Sequence, residues 1–299
     1  MILEHHSSAN PWSPSGFENF ADRYPATEWT APPAPLDRTT QFAAIWPSAD
    51  ASALPRDVGI VLTPGLFAEW LPSCFRAANR AFTADGHRVL QTRVRTSLGV
   101  QAQAHALTDP ILAWLRPRER FVWCAHSKGA LDALWSLAVS PMLKDRCAAA
   151  VVVQPPVGRS WLIDRWLRTP ATLGERSMGL LLRGGAFREG VRDISSDRDV
   201  RVAQWVAQFS AAVPTLHAVS WSVQPTRWVD SYHRQLGALR PGHAHDGQFY
   251  LSDQRLPATP IVGLPALDHA QPVLGGFGFD AARLWRALVA CVWKDVRSR

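Results

Sequence analysis

No stretch of the chain approaches the roughly 18 consecutive apolar residues of a membrane-crossing helix, so no transmembrane segment is expected. Residues 1–6 lack the basic start and long apolar run of a secretion signal. The expectation is therefore a cytoplasmic protein, with export by a signal-independent route left open. Cysteine is scarce, and Cys74, Cys124, Cys147 and Cys291 show no metal-ligand spacing. Two of them fall in apolar runs that read as core strands, which favours buried free thiols over disulfides and leaves no metal or cofactor to expect. Basic runs are missing as well. The formal net charge of +7 and the pI near 9.8 come from more than 20 arginines scattered along the chain, never five together. Scattered charge reads as solvated surface, so no nucleic-acid partner is expected, although it favours contact with an anionic lipid surface.

What is present is enough chain, 299 residues with 47% hydrophobic, to bury one large α/β core with insertions. Its organising stretch is residues 121–134. Phe121, Val122 and Trp123 follow the charged Arg118-Glu119-Arg120, as suits a strand buried on both faces. After Gly129 the period changes, and Ala130, Leu131, Leu134, Leu137 and Ala138 form a helical stripe. Between them Ala125-His126-Ser127-Lys128-Gly129 is a variant of the G-x-S-x-G turn, with alanine in the first small position. Such a turn projects a serine hydroxyl at a helix N-terminus, where an oxyanion is stabilised. The plainer alternative is an ordinary β-α turn of a doubly wound sheet.

Residues 1–56 are rich in Pro, Ser, Ala and Trp without sustained periodicity. They read as an extended arm, partly ordered through Trp12, Trp29 and Trp46, with one strand near 41–46. The main domain is expected over 57–299. Its strands are read at 58–62, 87–94, 121–124, 147–153, 216–221 and 259–264, with helices at 73–84 and 101–115 between the first three. Thr108-Asp109-Pro110 reads as a cap, so the second of these helices is expected to break and restart there. Strands and helices alternating in this way imply a mainly parallel, doubly wound sheet.

Three pieces in chain order resemble an α/β-hydrolase, and within that fold the bacterial triacylglycerol lipases and serine esterases. They are Thr63-Pro64-Gly65-Leu66 after the first strand, the Ser127 turn, and Asp246-Gly247-Gln248 followed by Leu267-Asp268-His269. Gln154-Pro155-Pro156 through Ser160 and Val219-Ser220-Trp221 are similar to further segments of that family. Pro64 stands where the family usually has histidine. Gln271 stands where some members have an acidic calcium ligand, so no structural calcium is expected.

The resemblance implies a Ser-acid-His order along the chain. Five histidines precede Ser127 and drop out on order; of the rest, His217 lies within a strand, His243 and His245 lie in the acid loop, and His269 sits just past the last strand. His269 is the candidate base, and His126 reads as a packing residue. Asp246 is the candidate acid, with Asp253 and Asp230 as competitors and Asp268 too close to His269 in sequence. The oxyanion donors are expected to be the backbone N–H groups of Leu66 and Lys128, the Lys128 ammonium being read as a solvated surface charge.

Residues 155–214 are too long for one crossover helix and read as a helical cap. Phe67, Trp161, Trp166 and Leu181 are expected to line an acyl pocket, with Gly184-Gly185 as a hinge. The segment 193–209 reads as an amphipathic helix with Val200, Ala203, Val206 and Ala207 inward. The expected activity is hydrolysis of small-molecule or lipid esters through an acyl-enzyme. Two alternatives stand beside it: an acyltransferase or thioesterase using the same residues, and a non-catalytic relative that binds a lipid or protein partner.

Overall fold

A computed structural model describes residue 12 and residues 26–30, 32–168, 187–222, 230–276 and 278–298. Six parallel strands form one sheet: β1 (Gly59–Thr63), β2 (Val89–Gln91), β3 (Phe121–His126), β4 (Cys147–Val153), β5 (Thr215–Trp221) and β6 (Ile261–Pro265). Their spatial order is β2-β1-β3-β4-β5-β6. The described helices are α1 (Thr39–Ile45), α2 (Arg76–Ala84), α3 (Val100–Trp114), α4 (Lys128–Val139), α5 (Pro141–Arg146), α6 (Trp161–Arg168), α7 (Phe187–Arg192), α8 (Val200–Ala207), α9 (Asp230–Leu239), α10 (Gln271–Leu274) and α11 (Ala281–Arg297).

Side chains alternate along a strand, so each strand feeds two cores. Ile60, Leu62, Val122, Cys124, Val151 and Val153 pack with Phe42, Phe82 and Trp285 of α1, α2 and α11. Val61, Phe121, Trp123, Ala125, Ala150 and Val152 pack on the other face with Leu107, Ile111, Ala130 and Leu134 of α3 and α4. All four cysteines are buried and free. No helix among the described residues is long and apolar enough to cross a membrane.

The strand expected near 41–46 is the helix α1. Phe42 and Trp46 lie one turn apart and are both fully buried, and the Asp37 carboxylate accepts the Thr39 N–H (2.8 Å) at the helix start. Just before it, residues 36–38 lie along the outer edge of β6. There Ile261 N–H donates to Leu36 O, Arg38 N–H to Ile261 O (both 2.8 Å), and Gly263 N–H to Thr39 Oγ1 (3.0 Å).

Helix α3 runs unbroken through Pro110, contrary to the expected restart. Pro110 and Ala106, whose carbonyl loses its partner, are both exposed, while Ala104, Leu107 and Ile111 hold the opposite face in the core. In the 193–209 segment only residues 200–207 are helical. Val202 and Val206 point inward; Val200, Ala203 and Ala207 are exposed, and Asp199 caps a helix that starts about two turns later than the sequence pattern suggested.

Candidate active site

Ser127 joins β3 to α4 with φ 55° and ψ −134°, a backbone conformation costly for any residue with a Cβ. Two glycines allow the crowding around it. A Cβ at Gly129 would lie 2.2 Å from the Pro64 carbonyl oxygen, and one at Gly65 would lie 2.7 Å from Ser127 Cβ. The loop after β1 and the start of α4 therefore pass almost backbone to backbone. Ser127 is buried, and its N–H donates to Val153 O (2.9 Å).

The Ser127 hydroxyl donates to His269 Nε2 at 2.9 Å, and His269 Nδ1 donates to Asp246 Oδ2 at 2.8 Å. His269 stands in the loop after β6 and Asp246 in the loop after α9, and the His269 N–H donates to Asp246 O (2.8 Å). Asp246 is fully buried. Its other oxygen accepts the N–H groups of Gln248 and Phe249, both at 2.8 Å, so neither oxygen lacks a donor. Asp253 lies elsewhere, beside Gly158 and near Arg159, Arg198 and Arg240, and burial raises its pKa. Asp230 opens α9, with its side chain outside the described residues.

His126, read from sequence as packing, has a positional task as well. Its Nε2 faces two acceptors, Gln154 Oε1 (2.8 Å) and the His269 carbonyl (2.9 Å), so that nitrogen carries the proton. Burial, then the neighbouring His269, pushes its pKa down to about 3, which keeps the ring neutral. Gln154 in turn donates to Ser220 Oγ (2.5 Å) and Asp268 O (2.9 Å). The Asp268 carboxylate accepts the N–H groups of Ala270 (2.7 Å) and Gln271 (2.8 Å), and burial lifts its pKa to about 6. These contacts pin the loop that carries His269. Nothing in the local sequence signals them, since the partners come from four separate segments.

Lys128 corrects the sequence reading. Its ammonium is buried and paired with Asp132 at 2.8 Å, both side chains only 2% exposed. Burial raises the Asp132 pKa to about 6 against the pull of Lys128. The Lys128 N–H, as the first of a helix, has no intrahelical acceptor, and the Leu66 N–H makes no hydrogen bond among the described residues.

Above Ser127 and His269 lies a cavity of about 130 Å³. Leu66, Phe67, Ile163, Phe249, Val273 and Leu274 are among the side chains that line it. Of the expected pocket residues, Phe67 is there. Trp161 and Trp166 of α6 are not among its lining residues; α6 presents Ile163 instead, while Trp161 packs on Tyr250 (6.1 Å between rings) and carries Arg159 over its face (3.7 Å). Leu181 and the expected hinge Gly184-Gly185 lie outside the described residues. No group of three or more metal-ligating side chains occurs among the described residues.

The six-stranded parallel sheet and the serine turn at the carboxyl end of β3 define an α/β-hydrolase fold. No protein-family profile matches the sequence, and no curated protein sequence matches it. Solved structures do. A metagenomic carboxyl esterase is similar at 21% identity and a TM-score of 0.66, over 82% of this chain and 78% of that one. Lipase 1 from Pelosinus fermentans is similar at 11% identity and a TM-score of 0.55, over 79% of this chain and 98% of its own. Staphylococcus hyicus lipase follows at 8% identity and 0.53, over 83% and 98%. At such identities the likeness is one of fold.

Proposed function

We propose that the protein is a serine hydrolase of carboxylic esters with an apolar acyl part, working through an acyl-enzyme. The observation that carries this reading is the continuous relay from Ser127 Oγ through His269 to Asp246, beneath an apolar cavity. Ser127 attacks the ester carbonyl while His269 Nε2 takes its proton, and Asp246 holds the imidazole in the tautomer that leaves Nε2 free to do so. The N–H groups of Leu66 and Lys128, without a hydrogen-bond partner among the described residues, suit the oxyanion of the tetrahedral intermediate. His269 then passes the proton to the leaving alcohol, and a water activated by the same base releases the acid.

Residues 155–214 act in this reading as a cap, with Ile163 and the loop residue Phe67 against the acyl chain. Phe67 and Leu71, which line the cavity, and Trp70, packed on Phe67 (5.9 Å between rings), are all about 40% exposed, which supports an ester presented by an apolar or lipid phase.

The test is labelling by a fluorophosphonate together with hydrolysis of p-nitrophenyl esters from acetate to octanoate. Ser127→Ala is expected to abolish both with little change in melting temperature; residual activity above a few per cent would remove Ser127 from the role. Asp246→Asn is expected to slow hydrolysis by orders of magnitude and Asp253→Asn to leave it nearly intact. A reversed ranking moves the acid.

A further inference from the structure

The Leu66 N–H sits in a loop with little secondary structure of its own, yet a hydrogen bond to an oxyanion demands placement to a fraction of an ångström. The loop is fixed from outside. Phe67, the next residue, has φ 64°, and its N–H donates to Thr96 Oγ1 at 2.7 Å. The same hydroxyl donates to Glu69 Oε2 at 2.9 Å, and the Thr96 N–H donates to Glu69 Oε1 at 2.6 Å. A hydroxyl has one proton to give, and the carboxylate takes it, which commits the oxygen's lone pair to the Phe67 N–H. Thr96 itself cannot drift. It is 1% exposed, and Gly190 of α7 packs so closely on it that a Cβ there would fall 1.8 Å from the Thr96 carbonyl oxygen.

We propose that Thr96, oriented by Glu69, is a positioning residue for the oxyanion loop, holding the Phe67 peptide and with it the neighbouring Leu66 N–H in the geometry the tetrahedral intermediate needs. This rests on the Ser127 reading above. Neither Thr96 nor Glu69 touches Ser127 or His269, so the effect passes through the loop backbone.

The experiment compares wild type with Thr96→Val, Thr96→Ser and Glu69→Ala by steady-state hydrolysis of p-nitrophenyl butyrate, affinity for an alkyl boronic acid, and melting temperature. Valine keeps the shape and removes the hydroxyl, so kcat is expected to fall roughly 10- to 100-fold with KM changed less than about threefold. Boronate affinity is expected to fall in parallel, because the tetrahedral adduct uses the same N–H groups. Serine restores the hydroxyl and is expected to bring kcat back to within a few-fold of wild type. Glu69→Ala, on an exposed side chain that does not threaten the fold, is expected to give an intermediate loss of kcat.

Should Thr96→Val fail to fold, Glu69→Ala decides alone. A kcat within twofold of wild type in Glu69→Ala and in any folded Thr96→Val overturns the proposal, as does a Thr96→Ser variant no better than valine. A wild type that neither hydrolyses esters nor reacts with a fluorophosphonate sinks the Ser127 reading itself, and the positioning role falls with it.

Discussion

At Gly129 a single methyl group decides whether the loop after β1 can reach its place, because its Cβ would meet Pro64 O at 2.2 Å and Thr63 O at 2.8 Å. Backbone cannot swing aside as a side chain does. Gly129→Ala is expected to lower stability by about 1–3 kcal/mol and ester hydrolysis by far more than the fraction unfolded explains, since the displaced segment carries Leu66. Melting curves and hydrolysis rates measured on the same preparation check this; wild-type values in both would mean the loop yields without cost. The need for a small residue two places after Ser127 was legible in the sequence because it is a local rule of the turn. That Ser127, His269 and Asp246 come within hydrogen-bond distance of one another was foreshadowed by chain order, with Ser127 and His269 just past strands and Asp246 in the loop after α9. Lys128 was not. Its i, i+4 partner Asp132 is visible in the sequence, but burial of the pair depends on what packs over α4, as does the meeting of Thr96 with Glu69 across 27 residues.

Elements failed to be legible where two local signals disagreed. Proline at 110 argued for a broken helix and the stripe Ala104, Leu107, Ile111 for a continuous one; the stripe won because the lost bond faces water. Pro110→Ala restores a donor to Ala106 O and is expected to stabilise the chain by about 1–3 kcal/mol, read from urea unfolding. No gain would mean that the proline's stiffening of the unfolded chain offsets the missing bond. Helix α6 shows the other difficulty, since an aromatic-rich helix does not announce which face meets a cavity. With Ile163 toward the cavity and Trp161 against Tyr250, Ile163→Ala is expected to change the ratio of octanoate to acetate hydrolysis. Trp161→Ala is expected to cost about 1–3 kcal/mol of stability and to lower both rates in proportion. Equal chain-length profiles in the two variants would contradict this division of faces.

For the whole molecule the five buried strands were readable as short apolar runs, whereas β2 is only three residues, partly exposed and shorter than the 87–94 expected, and helix α1 and the pairing across β6 depend on distant partners. Acid response also belongs to this scale. Burial lowers the pKa of His126 and His217 to about 3 and of His245 to about 4, and lowers that of His87 as well. Each stays neutral in the fold where the unfolded chain takes up a proton, so stability is lost as pH falls below 6.5. Asp132 and Asp268, raised to about 6, and Asp253, also raised by burial, act in the opposite sense as pH falls from 6 to 4, being protonated in the fold where the unfolded chain is charged. The histidines outnumber them. The unfolded chain therefore holds one to two extra protons near pH 5.5, and stability is expected to drop by about 1–3 kcal/mol per pH unit from pH 6 to 5. Urea unfolding at pH 7, 6 and 5 reads this directly, and a flat profile would contradict it.

The chain laid along β6 has a further effect. A parallel sheet that ends in an open strand invites another molecule to continue it, and here residues 36–39 already occupy the hydrogen-bonding groups of Ile261 and Gly263. At the opposite border β2 offers only three residues, too short a template. The protein thus terminates its own sheet on both sides, and removing residues 1–40 would leave a sticky border that seeds polymers at concentrations where the intact chain stays dispersed.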